Sequence, residues 1–254
     1  GNGKDKFQIG QMFGCERILD TDESECATAT GIAAGDEITT VETTLGWLSR
    51  GISYPTTVFG GDDNDQFTVY SNKALLKLFG EDGNDHFVVR AFVLAGNVIS
   101  TSETEINTGA GDDSVEYNIN APVSIDGGSG TDTVVIIGTE VADNFVITEG
   151  GVAGAGLNVD FDAVEILEID GLAGDDNFFI LSTHSDLVTT IIGGLGSDTI
   201  DVGGDVTSVI VALSVEGRSG VINHSVSSND PNSFFNQIFV EGIQLNVADQ
   251  ATGQ

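Results

Sequence analysis

The chain has 254 residues, of which 40 are acidic and only 8 are Lys or Arg, giving a formal net charge of −32 at pH 7. A surface with this charge repels phosphate groups, which argues against nucleic acid and anionic lipid as direct partners. With 34 Gly, 3 Pro and 40% apolar residues, the composition predicts a packed chain with many tight corners rather than a disordered one. The sequence contains no apolar run long enough to span a bilayer, so no direct membrane insertion is expected.

A short glycine-rich loop recurs seven times, and each copy ends in an aspartate, one spacer and an apolar residue. In chain order the loops are GNGKDKF (1–7), GGDDNDQF (60–67), GEDGNDHF (80–87), TGAGDDSV (108–115), GGSGTDTV (127–134), GLAGDDNF (171–178) and GGLGSDTI (193–200). They align on Asp5, Asp65, Asp85, Asp113, Asp132, Asp176 and Asp198. Seven copies in register indicate a repeat protein.

Predicted strands follow directly after five of these loops. They are FTVY (67–70), FVVR (87–90), TVVII (133–137), FFIL (178–181) and TIDV (199–202). Alternate residues of a strand face opposite sides, so the apolar residue two positions after each Asp is expected in the core. The segment 71–80 (SNKALLKLFG) has the only helix-like pattern, but its place between two loops favours another strand. The predicted fold class is all-β and solenoidal.

The loops carry oxygen donors of the kind that bind calcium. Glycine tolerates positive φ, so these loops can curl tightly and turn their carbonyl oxygens inward, and the terminal Asp adds a carboxylate. Hard oxygen ligands without sulfur or imidazole suit Ca²⁺. An alternative stays open in which the Gly and Asp residues only form turns, because Asx-turns are common at such corners.

The loops resemble the G-G-x-G-x-D-x-U-x nonapeptides of RTX (haemolysin-type) calcium-binding proteins. Loops 127–134 and 193–200 match every fixed position, whereas Asp63, Glu81, Thr108 and Leu172 replace glycine in other loops. The resemblance implies a parallel β-roll, or β-helix solenoid, with calcium held between successive loops on one edge. It implies metal ligands from the seven aligned Asp side chains and from the carbonyls of Gly60, Asp62, Gly80, Asp82, Thr108, Ala110, Gly127, Ser129, Gly171, Ala173, Gly193 and Leu195.

Three pairs of loops are separated by about one turn of such a roll. Calcium is therefore expected between the aspartates of each close pair, which are Asp65 with Asp85, Asp113 with Asp132, and Asp176 with Asp198. Whether calcium also binds between one pair and the next is left open. Weaker echoes of the motif occur at 31–38 (GIAAGDEI) and at 138–145 (GTEVADNF).

The motifs divide the chain into three predicted regions. Residues 1–59 are a first solenoid coil with an irregular insertion, 60–203 form the calcium-binding solenoid, and 204–254 are a β cap or a link to a following module. Cys15 and Cys26, both in the insertion, are expected to form a disulfide that contributes about 3 kcal/mol by the loop-entropy model. Oxidised cysteines and millimolar calcium both predict an extracellular or cell-surface location.

The predicted function is a calcium-binding structural or adhesive segment that folds and stiffens when calcium binds. Because Gly1 takes the second position of the motif, the chain is interpreted as part of a longer secreted or cell-surface protein. Its expected partners are calcium, other modules of the same polypeptide, and neighbouring surface proteins or polysaccharide. No enzyme activity is predicted, since the three histidines are isolated in sequence and no catalytic motif appears.

Two alternatives to this function remain open. The first is a carbohydrate-binding or carbohydrate-processing module on a β-helix scaffold, which an aromatic platform on one outer face would favour. The second is an acidic domain adapted to high salt, which would fold without calcium.

Overall fold

A computed structural model of the protein describes residues 1–14, 40–43, 46–49, 51–90, 104–118, 122–154, 157–212, 219–224 and 243–246. Within these ranges the chain forms strands and no helix, so the predicted all-β class is confirmed. No helix there is long and apolar enough to cross a membrane. The predicted disulfide between Cys15 and Cys26 and the motif echo at 31–38 lie outside the described residues.

The strands are numbered in chain order. They are β1 (Lys6–Ile9), β2 (Met12–Phe13), β3 (Thr40–Thr43), β4 (Gly46–Ser49), β5 (Thr56–Asp62), β6 (Gln66–Val69), β7 (Leu76–Asp82), β8 (His86–Arg90), β9 (Thr104–Asn107), β10 (Ser114–Asn118), β11 (Pro122–Asp126), β12 (Thr133–Ile137), β13 (Asn144–Thr148), β14 (Gly151–Gly154), β15 (Leu157–Asp162), β16 (Ile166–Asp170), β17 (Asn177–Ser182), β18 (Val188–Ile192), β19 (Thr199–Asp205), β20 (Val209–Ala212), β21 (Ser219–His224) and β22 (Ile243–Asn246). All five strands predicted after the loops are confirmed, and segment 71–80 contributes to β7 rather than to a helix.

Two large sheets contain most of these strands. Sheet I has the order β1-β6-β8-β10-β12-β16-β18-β20, and all of its neighbouring strands are parallel. Sheet II has the order β22-β21-β19-β17-β13-β14-β15-β11-β9-β7-β5 and is parallel except at β14 and β22. The strands β2, β4 and β3 form a small antiparallel sheet. We call one strand of each large sheet, with the loop that joins them, a rung.

The inward side chains of both large sheets share one apolar core. The apolar residue two positions after the motif Asp lies in this core, as at Phe67, Phe87 and Phe178, each at most 1% exposed. In sheet I the residues at this position stack in register. The ring centroids of Phe7 and Phe67 are 4.9 Å apart, and those of Phe67 and Phe87 are 4.5 Å apart. The burial of Phe67, Phe87 and Phe178 confirms the predicted inward direction of this position. The direction was predictable because alternate residues of a strand face only two sides.

The glycine loops lie on two edges of the molecule, which differs from the single edge that the resemblance implies. The loops of residues 60–65, 80–85, 108–113 and 127–132 lead from sheet II into sheet I. The loops of residues 138–143, 171–176 and 193–198 lead from sheet I into sheet II. Because the strands that they join are parallel within each sheet, the two sets of loops lie at opposite strand ends.

The change of edge has a local cause. Loops 127–132 and 138–143 are separated by the single strand β12, so the motif moves by half a turn of the chain at this point. The antiparallel meander β13-β14-β15 follows within sheet II and takes the chain back beside β11. From there on, the glycine loops stay on the second edge.

Candidate metal centre

Each motif aspartate lies immediately before a strand, at the corner where the chain changes sheets. On the first edge these residues are Asp5, Asp65, Asp85, Asp113 and Asp132, and Glu165 takes the same place before β16. On the second edge they are Asp143, Asp176 and Asp198. We call the first set the first column and the second set the second column.

Within each column, one carboxylate oxygen accepts a hydrogen bond from the rung before. The backbone N–H of Asp65 donates to Oδ1 of Asp85 at 2.7 Å, and the N–H of Asp85 donates to Oδ1 of Asp113 at 2.6 Å. The same bond joins Asp5 to Asp65 at 2.7 Å, Asp113 to Asp132 at 2.9 Å, Asp143 to Asp176 at 2.7 Å, and Asp176 to Asp198 at 3.1 Å. The columns therefore join neighbouring rungs continuously, including Asp85 and Asp113, which belong to different predicted pairs.

The second carboxylate oxygen is buried inside the loop. The Oδ2 atoms of Asp65, Asp85, Asp113, Asp132 and Asp176 are fully buried and have no hydrogen-bond partner within the described ranges. Asp65 is 2% exposed, and Asp176 is wholly buried. A buried polar atom without a partner costs about 1–3 kcal/mol, and a charged one costs more. A cation beside such an oxygen would remove this cost.

Burial also makes the ionised form of four of these carboxylates unfavourable, namely those of Asp85, Asp113, Asp132 and Asp176. It raises the pKa of Asp85, Asp132 and Asp176 to about 6, from an ordinary value of 3.8. The backbone N–H bond from the rung before partly offsets this rise, and the charges of neighbouring column members add to it. A positive charge beside Oδ2 would therefore stabilise the ionised form of these carboxylates.

A carbonyl oxygen of the next rung lies beside the buried Oδ2. A Cβ atom added to Gly60 would lie 2.3 Å from Oδ2 of Asp65 and 2.8 Å from the carbonyl oxygen of Gly80. On the second edge, a Cβ added to Gly171 would lie 2.4 Å from Oδ2 of Asp176 and 2.8 Å from the carbonyl oxygen of Gly193. Glycine at the first loop position therefore leaves a space where oxygens from two rungs converge.

This arrangement brings together the first-position carbonyls that the sequence predicts as ligands. Those of Gly80, Thr108, Gly171 and Gly193 lie beside the space left by the glycine one rung earlier. The carbonyl of Gly60 accepts the terminal amine of Gly1 at 3.1 Å, and that of Gly127 accepts the hydroxyl of Thr108 at 2.6 Å.

The predicted third-position carbonyls lie in contacts between the loops. Those of Asp62, Ala110, Ser129 and Leu195 accept backbone N–H groups of adjacent loops, and Asp82 and Ala173 take part in the same isolated bridges. These bonds hold successive loops in register.

A second ladder, which sequence analysis missed, runs beside the buried one. It uses the exposed residue immediately before the motif Asp. The N–H of Asp112 donates to Oδ1 of Asn84 at 3.1 Å, and Oδ1 of Asp112 accepts from the N–H of Thr131 at 2.9 Å. Oδ1 of Asp175 likewise accepts from Ser197 at 2.8 Å. Here the side chain reaches toward the following rung, whereas the column carboxylates reach toward the preceding one.

Two further column members, Asp143 and Glu165, were not predicted from the sequence. Asp143 lies in the weak echo at 138–145, which is the signal that could have identified it. Glu165 follows β15 after a short loop without glycine, so no motif marked it. Its Oε2 accepts the N–H of Asp132 at 2.8 Å, which is the bond that a column Asp makes elsewhere.

Carboxylates alone do not make a complete metal site here. In the described part of the chain, no three His, Cys, Asp or Glu side chains converge on a point where they could hold a metal ion. A cation in either column therefore needs carbonyl oxygens as further ligands. The donor set of one carboxylate oxygen and nearby carbonyls is all oxygen, which fits calcium.

No protein-family model, curated protein or solved structure matches this chain. The chemistry of the two columns is therefore what points to a function.

Proposed function

We propose that this chain is a calcium-binding β-solenoid that serves as a structural or adhesive segment of a larger secreted or cell-surface protein. The observation that carries the proposal is the set of five buried Oδ2 atoms that find no hydrogen-bond partner among the described residues. Three of these atoms, in Asp65, Asp85 and Asp176, border a space that also holds a carbonyl oxygen of the next rung, and glycine at the first loop position leaves that space open.

The chain's own residues supply most of the proposed mechanism. The column carboxylates of adjacent rungs repel one another when they are ionised, because burial weakens their solvation. The glycines of the loops also keep high conformational entropy in the unfolded chain. Calcium, when bound, supplies the positive charge that offsets this repulsion. The free energy of binding then appears as free energy of folding, and the loops become fixed in register.

The first test is a calcium titration of the metal-stripped chain, followed by far-UV circular dichroism and thermal melting. Magnesium and sodium chloride at matched ionic strength are the controls. We expect calcium to raise the melting temperature, and to increase the β signal, well beyond either control. A fold that ignores calcium, or that salt alone restores, would instead favour the acidic high-salt alternative.

A second test measures which residues bind the ion. Asp132→Ala and Asp198→Ala remove one carboxylate from each column, and we expect each variant to bind fewer calcium ions in equilibrium dialysis. Unchanged stoichiometry in both variants would refute calcium binding at the columns.

One surface favours the carbohydrate-binding alternative. Phe59 and Phe79 stack with ring centroids 5.0 Å apart on the outer face of sheet II, and Phe59 is 56% exposed. The next positions on this face are Asn107 and Asp126, whose side chains are joined by a 2.9 Å hydrogen bond. Flat aromatic surface beside amide and carboxylate groups suits a sugar ring, which has both apolar faces and hydroxyl groups. This second function is compatible with calcium at the edges.

A further inference from the structure

We propose that Glu165 is a cation-site residue that closes the first column, and that this column binds its cations independently of the second. This inference rests on the proposed calcium function and assigns its sites. It adds Glu165 as a metal-site residue and separates Asp176 and Asp198 from the other motif aspartates.

The separation of the columns follows from the path of the chain. The first column lies where the chain enters sheet I, and the second column lies where the chain enters sheet II. A five-residue strand such as β12 spans roughly 16 Å, which exceeds the Debye length of about 8 Å at physiological ionic strength. The hydrogen-bond ladders are also separate, because Asp132 is bonded to Glu165 and Asp143 is bonded to Asp176. The two columns therefore have no carboxylate in common.

The site at the end of the first column has two of the parts found in the regular sites. Asp132 has a buried Oδ2 atom, and a Cβ added to Gly127 would lie 2.0 Å from the carbonyl oxygen of Ala163 in the next rung. Ala163 has a φ of +51°, so the short loop turns through the left-handed region that glycine usually takes. The longer side chain of Glu165 then accepts a hydrogen bond from the backbone N–H of Asp132. The added methylene of Glu compensates for the shorter loop.

Each column also has a defined end. In the rung after Glu165, the residue before β18 is Leu187, which is 1% exposed, so an apolar side chain occupies the next column position. The second column begins at Asp143, whose Oδ2 accepts the N–H of Thr139 at 2.7 Å and its hydroxyl at 2.9 Å. The loop of Asp143 therefore satisfies this oxygen itself, and the cation sites of the second column begin with Asp176.

The test compares charge-removing, nearly isosteric variants of the whole 254-residue chain. Asp85→Asn acts on the first column, Asp176→Asn on the second, and Glu165→Gln on the proposed closing residue. In each case the new amide oxygen can still accept the backbone N–H bond. Asp112→Asn and Asp175→Asn are matched controls, because these exposed neighbours belong to the outer ladder. Bound calcium is counted by equilibrium dialysis, and circular dichroism checks the fold.

We expect each of the three column variants to bind fewer ions and both controls to bind as many as the unchanged chain. The losses of Asp85→Asn and Asp176→Asn should add in the double variant, and each single variant should keep the affinity of the other column within about twofold. Glu165→Gln should lose an ion from the first column only, as shown by the same loss in the Asp176→Asn background.

Three outcomes would overturn the inference. Loss of all ions in Asp85→Asn, or losses that do not add, would show one cooperative unit instead of two columns. If Glu165→Gln binds as many calcium ions as the unchanged chain, with the same affinity, Glu165 is not a cation-site residue. An unchanged chain that binds no calcium would refute the proposed function itself, and this result is distinct because it precedes any comparison of variants.

Discussion

The backbone amide of Asp85 donates a 2.6 Å hydrogen bond to Oδ1 of Asp113, its counterpart one rung later. Asp113 thus acts in two ways, because Oδ1 ties the rungs together while Oδ2 remains buried inside the loop. The same division between a bonding oxygen and a buried oxygen recurs along both columns. Substitutions can therefore separate the structural role of a column residue from its charge.

We expect Asp85→Asn to change stability in opposite directions with and without calcium. In the metal-free protein at pH 7.5 the amide removes an unfavourable buried charge, and its N–H₂ group would face the space at Gly80 that the carbonyl of Thr108 also borders. The variant should therefore be more stable by roughly 1–3 kcal/mol. In millimolar calcium it should be less stable than the unchanged chain. Urea unfolding in both conditions measures the two differences, and a variant that is destabilised in both would contradict the role of the charge.

Asp85→Ala provides the structural comparison for that experiment. Alanine removes the acceptor of the Asp65 N–H, which leaves a buried donor unpaired. The expected cost relative to Asp85→Asn is about 1–3 kcal/mol in metal-free buffer. Because this loss does not depend on charge, Asp85→Ala should be the less stable of the two variants with or without calcium. Equal stability of the Ala and Asn variants would show that the hydrogen bond contributes nothing.

We expect the metal-free protein to be more stable in mild acid than at neutral pH. The pKa values of Asp85, Asp132 and Asp176 are about 6 in the folded protein and near 3.8 in the unfolded chain. The folded state therefore binds more protons between these values, and its stability falls as pH rises from about 4 to about 6. Thermal melts of resin-stripped protein between pH 4 and pH 8 measure this change. Saturating calcium should restore stability at pH 7 to 8, and metal-free stability that rises with pH would contradict the burial of these carboxylates.

Gly171→Ala should block a site of the second column by filling its space. The added methyl would lie 2.4 Å from Oδ2 of Asp176, and φ is not positive at Gly171, so the effect is steric rather than a backbone strain. We expect lower thermal stability and fewer bound calcium ions. Gly150→Ala is the matched control, because the described residues leave its Cβ position open to 4 Å. Calcium binding that survives in Gly171→Ala would place the ion elsewhere.

Phe59→Ala tests the carbohydrate-binding alternative. If sugar packs on the Phe59–Phe79 stack, loss of the exposed ring should weaken binding roughly tenfold, which corresponds to about 1.4 kcal/mol. Affinity electrophoresis against a panel of acidic and neutral polysaccharides measures this effect. Tyr54→Ala is the control, since Tyr54 is also strongly exposed but is not part of the stack. Equal retardation of both variants and the unchanged chain would exclude this face.

Much of the local structure could be predicted from the sequence. The strands after the loops and the inward direction of residues such as Phe87 and Phe178 follow from a period of two, which is a property of neighbouring residues along the chain. The glycine turns, and the position of each motif Asp at a corner, also depend only on neighbouring residues along the chain. The motif alignment therefore located most members of both columns.

The sequence by itself determined that this is an all-β repeat protein with an acidic residue at each glycine corner, because turn chemistry and strand alternation depend on a few adjacent residues. Only the tertiary structure decided which corners stack on one another. Asp132 and Asp143 are close in sequence but lie on opposite edges, since the chain crosses β12 between them. Glu165 joins the first column without any motif, because strand pairing brings its short loop beside Asp132. Such neighbours are set by how rungs pair across long stretches of chain, which no local pattern encodes.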